Sequence, residues 1–145
     1  MYHSLTGNTK KLADVIAGEL GVEAEKIAID HPAFSEPIDL LFIGDGIYAG
    51  KPGKETISFI NRLTPDMVKN TAVFATYGGQ DVIGGRIATL LKDKGLNIAG
   101  EPFACKGKCW FIINRKRPNG EDLDMARQFA RSIVSIIEKQ GDDQK

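Results

Sequence analysis

The sequence predicts a doubly wound α/β domain, a parallel sheet lying between two layers of helices. Three observations carry that prediction. Helix-like and strand-like patterns alternate along the whole chain, the run Ile38 to Ile43 reads as a parallel strand buried on both faces, and a hydroxyl-rich loop, Ser4 to Thr9, opens directly into the first helix. Ligands of such sheets sit at the carboxyl ends of the strands, near the topological switch point.

Only Met1, Tyr2 and His3 precede the first loop, so the first strand is a stub where about five residues are usual. Leu12, Val15, Ile16 and Leu20 share one face of a helix spanning Lys10 to Leu20. Val22 to Ile29 alternates and reads as a strand, and a proline-bounded turn, His31 to Pro37, leads into Ile38 to Ile43. Ile57, Ile60 and Leu63 mark a second helix ending near Thr64-Pro65. Ala72 to Ala75 is a further buried strand. Ile83, Ile87, Leu90 and Leu91 line a third helix that stops at Gly95, and Phe103 to Cys105 begins the last strand. Leu123, Ala126, Ala130, Ile133, Val134 and Ile137 stripe a long final helix, with Gly141 to Lys145 expected to fray. A first strand cut to three residues leaves its neighbours short of backbone partners. The gap below Met1 is therefore expected to expose apolar side chains, a place for an upstream segment or for a second copy of the chain.

At 145 residues, with no repeat or linker, residues 1–145 form one domain. Its 19 basic and 19 acidic side chains cancel to a formal net charge of zero, which gives no bulk attraction to nucleic acid or to a membrane surface. The basic residues Lys106, Lys108, Arg115, Lys116 and Arg117 read as a solvated loop. No apolar run has the length of a membrane span and the N-terminus carries no secretory pattern, so a cytoplasmic protein is expected. The two cysteines, Cys105 and Cys109, suit a reducing compartment. On an extended strand they lie roughly 13 Å apart, too far for a disulfide. They are also too few for a structural zinc site unless His3 or His31 joins them, which leaves buried thiols, a redox pair and a metal site as readings in that order.

Three loops fall at the carboxyl ends of strands. In Ser4-Leu5-Thr6-Gly7-Asn8-Thr9, the hydroxyls of Ser4, Thr6 and Thr9 can donate, Gly7 permits close backbone approach, and the helix start supplies unpaired N–H groups. The group received is an anion such as a phosphate. Capping of the helix by the same residues is the simpler reading. The second loop, Asp45 to Lys51, and the third, Thr76 to Asp81, each place a tyrosine, Tyr48 or Tyr77, among glycines, an arrangement suited to stacking on a flat ring. Asp45 is either a charge beside that ring or the closure of a turn. Gly44-Asp45-Gly46-Ile47-Tyr48-Ala49 formally fits the dinucleotide fingerprint, but Gly50-Lys51-Pro52-Gly53 breaks the helix the fingerprint requires. A response-regulator reading of Asp45 lacks the acidic pair after strand one, where Tyr2-His3-Ser4 stands.

Tyr2 to Thr9 with the helix after it resembles the FMN-phosphate loop and first helix of the flavodoxin family. The resemblance continues through Asp39 to Lys51, similar to the third strand and first ring loop, and through Phe74 to Gly79, similar to the fourth strand and second ring loop. Phe103 to Cys109 and Arg117 to Leu123 are similar to the fifth strand and the entry to the last helix in one branch of the family. The resemblance implies a sheet of order 2-1-3-4-5 with helices on both faces. It implies FMN held by Ser4, Leu5, Thr6, Gly7, Asn8, Thr9, Asp45, Gly46, Ile47, Tyr48, Thr76, Tyr77, Gly78 and Gly79, with a carbonyl of Asp45-Gly46-Ile47 turning toward the ring during reduction. The function implied is electron transfer between partner proteins. A nicotinamide-dependent flavin or quinone reductase, and a binding module that has lost flavin, are the alternatives. The zero net charge departs from the acidic balance of most flavodoxins.

Overall fold

The computed structural model describes residues 1–32, 34–46, 50–79, 83–107 and 116–145. Ile47, Tyr48, Lys108, Cys109 and Arg115, all named above, lie outside the described residues.

The sheet is built on three parallel strands in the order β1 (Ile38–Gly46), β2 (Val68–Tyr77) and β3 (Phe103–Lys106). β1 and β2 are in register from Ile38 opposite Val68 to Gly46 opposite Thr76, so both strands end at the same edge. Beyond β1, Tyr2 bridges in parallel to Gly44 on one side and to Lys26 on the other. Read across, the succession is Lys26, Tyr2, β1, β2, β3. That is the 2-1-3-4-5 order, with its first two positions reduced to single bridges. The stub is held by Met1 and His3, whose backbones bond to Phe42 and Gly44.

The expected strand Val22 to Ile29 is corrected to one bridge. Its hydrogen bonds to the stub are Tyr2 N–H to Glu25 O (2.9 Å) and Ile27 N–H to Tyr2 O (2.6 Å), and three stub residues cannot support a longer ladder. β1 also falls short of burial along its whole length. Ile43 to Gly46 are buried, whereas Ile38, Leu40 and Phe42 are partly exposed beside a slot of about 320 Å³. Met1, Ile16, Leu20, Leu40 and Phe42 are among its mostly apolar lining residues, joined by Glu23 and Glu25, so the gap expected below Met1 is present.

Helices cover both faces. α2 (Lys54–Asn61) and α3 (Ile83–Asp93) pack Phe59, Ile60, Ile87 and Leu91 against Leu41, Ile43, Val73 and Ala75. α1 (Asn8–Leu20) and α4 (Gly120–Asp143) pack Leu12, Ala13, Ile16, Ala126 and Ala130 against Phe74 and Cys105. The alternation of strand side chains between these two layers is what the pleat imposes. α4 begins with a capping box, Asn119 accepting from the Asp122 N–H while the Asp122 carboxylate accepts from the Asn119 N–H. It runs through Asp143, so the expected fraying from Gly141 does not occur.

Candidate ligand site at the carboxyl edge of the sheet

Because β1, β2 and β3 are parallel and the stub enters beside β1, the segments leaving Tyr2, Gly46, Tyr77 and Lys106 emerge at one edge. Direct bonds tie three of them together. Thr9 Oγ1 at the start of α1 lies 2.8 Å from Thr76 Oγ1 at the end of β2, both side chains buried. The Gly107 N–H donates to Tyr77 O at 2.9 Å. Asn8 packs so closely on Gly107 that a Cβ there would lie 2.7 Å from Asn8 Nδ2.

Within the first loop, Gly7 is the residue that precedes α1, at φ 86°, a left-handed conformation that glycine adopts without strain. No side chain caps the first turn. The Ser4 hydroxyl instead accepts from the Gly7 N–H at 3.0 Å, closing the loop on itself. Capping therefore does not account for the loop, and the helix dipole meets the loop without a neutralising acidic residue, since the first turn of α1 has none. Leu5 and Thr6 are exposed on the outer side and Asn8 and Thr9 are buried. This cradle fits a dianionic phosphate: N–H groups at a helix start, an exposed Thr6 hydroxyl and no carboxylate in the first turn.

Asp45 closes a turn. It is 0% exposed, its Oδ1 accepts from the Gly46 N–H (2.7 Å) and its Oδ2 from the Gly53 N–H (2.7 Å), so both of its oxygens bond inward. His3 Nδ1 stands 2.9 Å from the same Oδ1, and His3 Nε2 stands 3.3 Å from Glu55 Oε2. His3, Gly53 and Glu55 were not among the candidate residues. Their signal was present in His3 beside Ser4 and in the glycine that precedes α2, but only the fold brings them to Asp45. β1 continues through Gly46 and α2 begins at Lys54, so no helix opens among the described residues of the dinucleotide fingerprint. Thr76, Tyr77, Gly78 and Gly79 leave β2 at this edge, with Tyr77, Gly78 partly exposed and Gly79 open.

Cys105 on β3 is buried, and burial pushes its thiol up to about 12, with Asp122 adding to the rise and Arg117 opposing it. A thiol so held stays protonated and is a poor nucleophile or metal ligand. Arg117 is paired bidentately with Asp122, Nε to Oδ2 at 2.5 Å and Nη2 to Oδ1 at 2.6 Å, so it is not a member of a free basic patch. Among the described residues no group of three His, Cys, Asp or Glu is placed to hold a metal ion, and no helix is long and apolar enough to cross a membrane.

The parallel sheet, the helices on both of its faces and the segments that meet at one edge of it define a doubly wound α/β domain. The chain matches the flavodoxin domain family over residues 1–116 and belongs to that family. It is 34% identical over 137 residues to an uncharacterised protein of Methanocaldococcus jannaschii, covering 88% of this chain and 90% of that one. Flavodoxin 1 from Bacillus cereus superposes with a TM-score of 0.70 at 24% identity, covering 92% of this chain and 94% of the other. Rubredoxin oxygen:oxidoreductase from Desulfovibrio gigas gives 0.69 at 15% identity, covering 95% of this chain, which spans only 35% of that larger protein. At these identities the solved structures show the fold alone. The fold is a flavin-binding, electron-transfer fold.

Proposed function

We propose that the protein binds FMN and carries electrons between redox partner proteins in the cytoplasm. The observation that carries this reading is the convergence of the uncapped α1 start, the Thr76 to Gly79 segment and the Asp45-Gly46 turn at one sheet edge, locked by the Thr9 to Thr76 hydroxyl pair. Ser4 to Thr9 hold the phosphate. Asp45 and Gly46 with Thr76 to Gly79 frame the ring, Tyr77 being the described stacking candidate and Tyr48 and Ile47 completing the set. When bound, the flavin supplies one- and two-electron chemistry, and the protein supplies orientation and environment. The test is the visible spectrum of the purified protein, then titration of the apoprotein with FMN and riboflavin. FMN is expected to bind at least tenfold more tightly, because riboflavin lacks the group that the cradle receives. Equal midpoints would remove the phosphate assignment. Rapid reduction of bound flavin by NAD(P)H alone would move the reading to a reductase, and a colourless protein that FMN does not stabilise would move it to a flavin-free module.

A further inference from the structure

The buried Asp45 carboxylate joins the two ends of one loop. Gly46 is the last residue of β1 and Gly53 the residue before α2, and each donates its N–H to a different oxygen of this one side chain, both at 2.7 Å. His3, from the strand stub, lies against Oδ1, and Glu55, from α2, lies against the far side of the imidazole. There is no slack in the arrangement: a Cβ on Gly53 would meet His3 Nδ1 at 2.5 Å and Asp45 Oδ2 at 3.3 Å. A turn alone needs one acceptor, which Asn or Ser supplies without burying a charge. Two backbone donors and an imidazole need acceptors on both oxygens, which only a carboxylate offers.

We propose that Asp45 is a positioning residue of the site, tying the exit of β1 at Gly46 to the entry of α2 at Gly53 and so fixing the two ends of the segment between them, with His3 and Glu55 as its buttress. The proposal rests on the FMN reading, since that segment is the first of the two ring loops. Asp45→Asn keeps the volume and turns one acceptor into a donor, which faces one end of the loop with an N–H it cannot bond. The experiment measures dissociation rates of FMN and riboflavin together with amide hydrogen exchange in the apoprotein. In Asp45→Asn both ligands are expected to leave about tenfold faster with their affinity ratio unchanged, the size of one charge-assisted hydrogen bond. Exchange protection at Gly46 and Gly53 is expected to fall while that of Ala75 in the core of β2 holds. Unchanged rates and protection would overturn the proposal. So would a loss confined to FMN, which would place Asp45 in the phosphate cradle, or a loss of protection extending to Ala75, which would make it a general stabiliser. If Asp45→Asn does not fold, Glu55→Gln, at the rim, is expected to show the same pattern at about threefold, and its failure to do so overturns the proposal equally. A wild-type protein that binds neither ligand would refute the FMN reading, and the Gly46 and Gly53 exchange would still decide the clamp.

Discussion

Two buried threonines make opposite predictions for the same substitution. Thr9 Oγ1 has a partner, Thr76 Oγ1, whereas Thr56 Oγ1 on α2 is buried with no hydrogen-bond partner among the described residues. Thr9→Val strands the Thr76 hydroxyl and is expected to cost about 1 to 3 kcal/mol, while Thr56→Val loses no bond and is expected to stabilise by roughly 0.5 to 1 kcal/mol, both read from denaturant midpoints at constant m. The α-amine of Met1 gives a pH signature. Burial lowers it from 8.0 to about 6, with Glu25 pulling the other way. The unfolded chain therefore holds more protons than the folded one between these values, so stability rises with pH across that window and the penalty is fully present below about 6. Acetylating the amine is expected to flatten this rise, which thermal melts at pH 5.5 and 8.5 would show. Cys105 was readable as a cysteine on a strand. That its thiol is sealed beneath α4 follows from packing, and alkylation followed by peptide mapping is expected to leave Cys105 unmodified in the native protein at pH 8.

Elements with a strong internal pattern were legible. α1, α3 and α4 carry apolar stripes at helical spacing and formed over the expected stretches, whereas β2, expected over Ala72 to Ala75, extends to Val68–Tyr77. The segment Val22 to Ile29 was not, because a strand is completed by its neighbour and the neighbour here is a single residue. The slot beside β1 is the same fact seen from the core. Leu40 and Phe42 alternate toward it, and Phe42 O already accepts from the Met1 amine, so a residue joined there would continue the ladder. Four apolar residues added ahead of Met1 are expected to raise the melting temperature by several degrees, since each buries side-chain area at about 25 cal/mol per Å² and pairs backbone groups now left at the edge. Four serines and glycines added in the same place are expected to do much less, and equal effects would show that the slot takes no strand. At the other end of the sheet, Asn119→Ala removes a capping-box acceptor and is expected to cost about 1 kcal/mol.

For the molecule as a whole, ligand binding and folding are linked. The loops proposed to frame the site adjoin α1, β1 and β2, so a ligand that bridged them would stabilise the native state over the unfolded one by mass action. At a hundredfold excess over its dissociation constant FMN is expected to add about 2.7 kcal/mol, or roughly 5 to 10 °C in melting temperature, with riboflavin at the same concentration adding far less. A scanning melt with each ligand checks both statements.

The sequence by itself determined the class of fold, the order of its main elements and the loop from Ser4 to Thr9 that opens into α1, because each is written in local pattern: an apolar period, a glycine at a helix start, hydroxyls set close together. It left Asp45 between two roles. Only the tertiary structure decided that Asp45 turns inward to bond Gly46, Gly53 and His3, that Thr9 meets Thr76 and that Val22 to Ile29 pairs at one residue. Each of these depends on a partner distant in the chain, and a side chain's own spacing carries no record of which distant group the sheet will set against it.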